Sequence, residues 1–210
     1  MKEIDDTIII QNFNYLEHIT GENRNGKNFI IQFNKDAKKR MLIGAHWDTR
    51  AVADQDNNPE KYNLPIIGAN DGASGTAILM ELALIFKTNK PPIGIDMVFF
   101  DAEDVGLSGQ PRTYAMGSKY FSKNLPIQKS DFGIIVDMVG DKNLNILIER
   151  FSYNIDKKRV IDIWDLASEL NLHAFIKEIG YEIYDDHVPL WESANIPTID
   201  IIDFDYPNSF

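Results

Sequence analysis

The sequence contains no cysteine, so disulfide bonds and thiolate metal sites are excluded. Any bound metal must be held by histidine and carboxylate side chains, a ligand set that allows zinc but disfavours a closed structural zinc site. Basic residues are few, 21 against 32 acidic ones, which gives a net charge of −11. Because nucleic-acid binders need a basic face, we expect no nucleic-acid partner.

Long apolar runs are also missing from the sequence. None approaches the length of a membrane span, and the first residues lack the apolar core of a signal peptide. We therefore expect no membrane-spanning segment in the chain as given, and its residues leave the compartment open. The length of 210 residues favours one domain, and a hydrophobic content of 44% is enough for a core.

Segments rich in β-branched and aromatic residues alternate with helical patterns along the chain. The pattern predicts strands at 7–11, 28–33, 41–45, 95–101, 132–138, 144–149 and 198–204. It predicts an amphipathic helix at 158–170 and a helix at 75–87, which is apolar almost all round and is expected inside the protein. Residues 54–64 are expected to be a loop. The alternation indicates an α/β three-layer sandwich, with a central mixed, mostly parallel sheet and helices on both faces.

Polar residues follow the predicted strands at the edge where α/β proteins bind ligands. His46 ends one strand and Asp48 lies on the same side of an extended chain, where it could orient the imidazole. Asp71 lies in a glycine-rich turn before a helix. Each has a structural interpretation too: a histidine satisfied at a strand end, and an aspartate that caps a helix.

Adjacent carboxylates, Glu103 and Asp104, follow the apolar strand at 95–101. Such a pair is a solvated acidic turn, or it is buried and needs a cation or a shared proton. Asp137 lies in an apolar strand, and Asp185 precedes a second Asp and a His. A histidine and several carboxylates at successive strand ends need a dication, and the mixed ligand set favours zinc over calcium or magnesium.

Six motifs in order carry a family resemblance: HWD (46–48), GANDGASG (68–75), FFDAED (99–104), GSKYF (117–121), DMVGD (137–141) and DDHVP (185–189). With these motifs, over about residues 28–210, the chain resembles the glutaminyl cyclases (glutaminyl-peptide cyclotransferases), especially the bacterial type. Those enzymes share their fold and metal site with the zinc aminopeptidases.

The resemblance implies specific roles for the site residues. Asp71 and Asp104 would be metal ligands, the latter where many relatives have Glu, and Glu103 would be the base that shuttles protons. In two-zinc aminopeptidases His46 and Asp137 would complete a second metal site that Asp71 bridges. In the one-zinc cyclases the residue at Asp137 forms a hydrogen-bond network with the one at Asp185. A carboxylate at 185 favours the cyclase.

The implied activity is conversion of the N-terminal glutamine of peptides or proteins to pyroglutamate, with zinc as cofactor and release of ammonia. One alternative is a zinc aminopeptidase. Another is an inactive fragment or pseudoenzyme, because a Trp-His-Thr segment that supplies a zinc ligand in the family does not occur before the last residue, Phe210. We therefore expect a single domain over 1–210 that is truncated at both ends. The resemblance also implies a periplasmic or secreted location.

Overall fold

The computed structural model describes residues 8–204. Eight strands lie at β1 (Ile9–Glu17), β2 (Glu22–Phe33), β3 (Arg40–His46), β4 (Gly94–Phe100), β5 (Phe132–Asp137), β6 (Ile146–Ile148), β7 (Phe175–Ile179) and β8 (Thr198–Ile202). Four α-helices lie at α1 (Ala73–Thr88), α2 (Met116–Lys123), α3 (Arg150–Glu169) and α4 (His187–Ala194). Two single turns of 3₁₀ helix lie at Pro59–Lys61 and Pro111–Thr113.

The central sheet has six strands in the order β1-β2-β4-β3-β5-β8. β1, β2 and β4 pair antiparallel, whereas β4, β3, β5 and β8 are all parallel. β6 and β7 form a separate parallel pair. The mixed, mainly parallel sheet that the sequence predicts is confirmed, and the carboxyl ends of four strands meet at one edge.

Neighbouring side chains of β3 point to opposite faces of the sheet, and each face carries its own core. On one face, Ile43 packs with Leu79 of α1. On the other, Leu42 packs with Phe121 of α2 and Leu190 of α4. A third cluster joins α3 to β6 and β8. Helices therefore cover both faces, as predicted, and fix the positions of the strand ends.

The prediction that the helix at 75–87 lies inside the protein is wrong. Only Gly75, Leu79 and Ala83 of α1 are buried, a row spaced four residues apart that contacts the sheet. Its other side is exposed and includes the apolar residues Ile78, Met80, Leu84 and Ile85. The helix therefore lies on the sheet as a surface helix, because an apolar composition without periodicity does not show which side is covered.

Several boundaries differ from the predicted ones. β2 starts at Glu22, six residues early, because its polar first half pairs with β1 along the hairpin. α3 starts at Arg150 because the side chain of Glu149 caps it. The sequence did not predict β7, α2, α4 or the 3₁₀ turn inside the predicted loop at 54–64. Thr7, the predicted start of the first strand, lies outside the described residues. Over residues 8–204, no helix combines the length and apolar character that crossing a membrane needs.

Candidate active site

The shared edge of the parallel strands collects the predicted site residues. His46 is the last residue of β3, Glu103 and Asp104 follow β4, and Asp137 is the last residue of β5. Asp185 lies just before α4, which packs against β5 and β8. All five side chains are buried. The interpretation of residues 103 and 104 as a solvated acidic turn is therefore wrong.

His46 is at the centre of the site. Its Nε2 lies 3.0 Å from Oδ1 of Asp71 and 3.1 Å from Oδ1 of Asp137, and its Nδ1 lies 3.5 Å from Oδ1 of Asp48. Burial disfavours the charged imidazole, but the carboxylate of Asp137, with Asp48 and Asp71, outweighs burial and raises the pKa of His46 well above its ordinary value. Carboxylates therefore face both nitrogens of the imidazole, and Nδ1 forms no hydrogen bond with the one that it faces.

The contacts of His46 fit a zinc ion. The ligand atoms of His46, Asp71 and Asp137 all lie within 4.8 Å of one another. Zinc bonds of about 2.0–2.1 Å in a tetrahedron place neighbouring ligand atoms about 3.3 Å apart, close to the two separations at Nε2. Imidazole nitrogen and carboxylate oxygen are both ligands that zinc accepts in proteins. The side chain of Asp71 is 37% exposed, which leaves an approach from solvent.

Asp71 is aimed by the turn that precedes α1. The N-cap position of α1 is Gly72, with no side-chain cap, so the interpretation of Asp71 as a helix cap is wrong. The same turn also holds the residues after β5, because Ser74 Oγ accepts from the backbone N–H of Val139 and Asn70 Oδ1 from that of Gly140. The turn before α1 is thus hydrogen-bonded to the segment that follows β5.

We expect Gly72→Ala to destabilise the protein strongly. Gly72 has a φ of +89°, and an added Cβ would lie 2.3 Å from the carbonyl oxygen of Asp48. Gly109→Ala is the matched control, because Gly109 has a φ of +75° with nothing near its Cβ position. Chemical denaturation should show a loss of about 1 kcal/mol for the control and of about 3 kcal/mol or more for Gly72→Ala. Equal losses in the two variants would mean that the turn at Gly72 rearranges to accommodate the added methyl group.

Asp48 holds the acidic turn that follows β4. Its two carboxylate oxygens accept from the backbone N–H groups of Glu103, at 3.0 Å, and Asp104, at 3.1 Å. These hydrogen bonds are shorter than its 3.5 Å contact with His46, which is the contact that the sequence predicted. Ala102, next to Glu103, has a φ of +58°. Asp48 therefore stabilises a strained backbone that presents both carboxylates.

Arg50 is a site residue that the sequence analysis did not find. Its guanidinium donates to Oδ1 of Asp104 at 3.1 Å and pairs with Asp54 at 2.6 Å. It also reaches the backbone carbonyls of Asp104 and Gly106. The separation of 54 residues between Arg50 and Asp104 leaves no local signal for this pair. Arg50 is a buried cation beside a predicted metal ligand.

Burial shifts the acids of the site toward their protonated forms. It raises the pKa of Asp104 to about 7, with help from the charge of Asp71. Burial, and then the charge of Asp185, raises the pKa of Glu103 well above its ordinary value. Burial, and then Asp137, raises the pKa of Asp185 to about 6. These mutual effects show that the structure brings the predicted carboxylates into one electrostatic unit.

The fold and this histidine–carboxylate site define an α/β protein of the zinc-peptidase class. The chain belongs to peptidase family M28, whose model matches residues 28–210.

Two solved structures illustrate the two activities found among its relatives. The chain is 34% identical to a glutaminyl cyclase of Bacteroides thetaiotaomicron bound to N-acetylhistamine, with a TM-score of 0.93 and coverage of 100% of this chain and 74% of that one. It is 36% identical to a leucine aminopeptidase precursor from the same organism, with a TM-score of 0.87 and coverage of 93% and 71%.

The curated relatives are longer proteins. The chain is 36% identical over 111 residues to a probable zinc metalloprotease of Pyrenophora teres f. teres, a match that covers 53% of this chain and 22% of the relative. The chain thus spans about a fifth of the length of that relative.

Proposed function

We propose that the chain is a zinc-dependent glutaminyl-peptide cyclotransferase, which converts the N-terminal glutamine of a peptide or protein to pyroglutamate and releases ammonia. The observation that carries this proposal is the placement of Glu103 and Asp185 in one buried acidic unit, in which the charge of Asp185 raises the pKa of Glu103. Cyclisation needs a group that takes a proton and gives it back. The similarity to solved glutaminyl cyclases supports the same activity.

In this reaction the α-amine nitrogen of the glutamine forms a bond to its own γ-carbonyl carbon, and the bond from that carbon to the amide nitrogen breaks. His46, Asp71 and Asp104 would hold the zinc ion, which would supply a Lewis acid for the γ-carbonyl oxygen. Glu103 takes the proton from the attacking amine and passes it to the departing ammonia. Burial and the charge of Asp185 raise the pKa of Glu103 above its ordinary value, which makes its carboxylate a stronger base.

Asp137 and Asp185 complete the proton network of the proposed site. Burial raises the pKa of Asp137, although His46 opposes the rise, and the charge of Asp137 in turn favours a proton on Asp185. Because Asp137 and Asp185 are both buried, they do not ionise together readily, and they can share one proton. That proton can hydrogen-bond to the substrate while Glu103 accepts the proton of the amine. The two ends of one glutamine residue meet without any activated water.

An aminopeptidase is the second candidate, and one contact favours it. In a two-metal aminopeptidase, His46, Asp71 and Asp137 would hold the second metal ion, with Asp71 shared between the two ions, and the ligand atoms of these three residues lie close together. Glu103 would then activate a metal-bound water for hydrolysis of the first peptide bond. The leucine aminopeptidase precursor among the solved relatives matches this alternative.

Two substrates and a metal count separate the candidates. We expect the zinc-loaded protein to release ammonia from a peptide with N-terminal glutamine, to leave a leucine anilide intact, and to hold one zinc per chain. Chelation should abolish the release. Anilide cleavage with two zinc ions per chain would replace the cyclase by the aminopeptidase. Zinc binding without either activity would identify a pseudoenzyme.

A further inference from the structure

The acidic turn that follows β4 contacts a buried asparagine that the proposed reaction does not use. This residue, Asn28, belongs to β2 and is completely buried. The backbone pairing of β2 with β4 ends at Phe29 and Phe99. Asn28 is the next residue of β2, so it lies where β4 leaves β2 and continues into the turn that carries Glu103.

Both ends of the Asn28 side-chain amide are hydrogen-bonded. Its Oδ1 accepts from the backbone N–H of Asp101 at 3.0 Å. Its Nδ2 donates to the backbone carbonyl of Gly117 at 2.9 Å and to Oε1 of Gln11 at 3.0 Å. Because a backbone N–H only donates and a backbone carbonyl only accepts, the partners fix the orientation of the amide. The position therefore needs an acceptor at one end of the side chain and two donors at the other.

Two elements approach the acidic turn closely on either side of Asn28. Gly117 lies in the first turn of α2, and an added Cβ there would lie 2.2 Å from the carbonyl oxygen of Asp101 and 2.6 Å from Oδ1 of Asn28. From β2, the backbone N–H of Lys27 donates to Oδ2 of Asp101 at 2.7 Å. Asn28 therefore joins β2 and α2 at the point where both contact the turn.

The two segments that Asn28 joins both have strained backbones. Ala102 in the acidic turn and Ala115 at the start of α2 each have a φ of +58°, a conformation that residues with a Cβ seldom adopt. The segments are hydrogen-bonded to each other, because the backbone N–H groups of Ala115 and Met116 donate to the carbonyls of Glu103 and Ala102, each at 2.9 Å. Strain of this kind persists only where the surrounding structure fixes the backbone.

We propose that Asn28 is a positioning residue for Glu103. Its amide accepts from Asp101 in the first strained segment and donates to Gly117 in the second, so one buried side chain sets the separation of the two. The place of the Glu103 carboxyl depends on that separation, because Glu103 lies between them. The role in catalysis rests on the proposed function, whereas the positioning of the turn does not.

Hydrogen exchange of backbone amides, followed by NMR, tests the positioning without any substrate. Asn28→Leu keeps the size of the side chain but removes its hydrogen bonds, and we expect exchange at Asp101, Glu103 and Asp104 to become about tenfold faster or more. Gln11→Leu is the matched control, because it removes a buried partner of the same amide on the side away from the turn. The control should leave these three amides within about threefold of the unchanged protein. Unchanged exchange in Asn28→Leu, or equally faster exchange in Gln11→Leu, overturns the proposal.

A conservative substitution tests which end of the amide matters. Asn28→Asp has nearly the same shape and keeps the oxygen that accepts from Asp101, so we expect it to restore most of the protection that Asn28→Leu loses. Equal losses in the two variants overturn the proposal, because the acceptor would then not be what holds the turn. If Asn28→Leu does not fold, Asn28→Ala removes the same hydrogen bonds without adding an apolar group and takes its place in both comparisons.

Kinetics of the zinc-loaded protein test the catalytic part. We expect Asn28→Leu to lose about tenfold in kcat for a peptide with N-terminal glutamine, with KM unchanged, and Gln11→Leu to stay within a few-fold of the unchanged protein. A loss in KM alone, or the same loss of kcat in Gln11→Leu, overturns the role in catalysis. The exchange result holds even if the chain cyclises nothing, so the failure of one proposal does not resemble the failure of the other.

Discussion

Glu103→Gln should lower turnover of an N-terminal glutamine peptide by about a hundredfold or more while zinc binding stays unchanged. The amide has nearly the same shape as the carboxyl group but cannot carry the proton from the amine to the ammonia, and general-base catalysis contributes about this much. Glu103 is buried, and its backbone N–H is held by Asp48, so the substitution leaves the turn in place.

Steady-state kinetics with a zinc count on the same sample measures this effect. Glu81→Gln, at an exposed position of α1, is the matched control and should behave like the unchanged protein. Turnover within a few-fold of the unchanged protein in Glu103→Gln would show that the proton is carried by another group. A loss of zinc together with turnover would move Glu103 into the metal ligand set.

Without zinc, the protein should lose stability as the pH rises from about 5 to about 7.5. Burial raises the pKa of Asp104 from 3.8 to about 7 and that of Asp185 to about 6, so the folded state binds more protons than the unfolded state in this window. A raised carboxyl pKa therefore contributes stability at low pH that is lost as the pH increases. His46, with its raised pKa, acts in the same direction. Together we expect a loss of a few kcal/mol.

Chemical denaturation in the presence of a chelator, at about pH 5 and about pH 7.5, measures this loss of stability. Added zinc should restore the stability at the higher pH. A dication stabilises the charged carboxylates that the metal-free site must protonate. The lowered pKa of Glu149 acts only at more acidic pH and does not interfere. Asp104→Asn, which has no proton to lose, should reduce the pH dependence. A stability that is flat or rises with pH in the chelator would contradict this account of the site.

The sheet and the strand-end residues were predictable because their signals are local. Apolar runs marked β4 and β5, and a polar residue at the end of a buried strand stood out against its neighbours. His46, Glu103 and Asp137 could therefore be placed at one edge before any coordinates. The apolar composition of α1 predicted a helix, but without a periodic pattern it did not show which side of the helix packs against the sheet. Local pattern shows that an element exists better than it shows what lies against it.

The supporting residues were not predictable, because their partners are distant in the sequence. Arg50 meets Asp104, and Asp48 meets the backbone of the same turn, through contacts of more than 50 residues' separation. Glu149, His187 and Asp200 come together from α3, α4 and β8. The local sequence around these residues does not show which partners they meet. The roles of Asp71, Asp104 and His46 as zinc ligands stay predictions.

The most direct test of the central claim is the origin of the oxygen in the product. The zinc-loaded protein is incubated with an N-terminal glutamine peptide in water enriched in oxygen-18, and the products are examined by mass spectrometry. Intramolecular attack consumes no water, so we predict a pyroglutamyl peptide of full length, lacking one ammonia and without solvent oxygen. A shortened peptide with free glutamine that carries oxygen-18 in its carboxyl group would contradict the cyclase and establish the aminopeptidase.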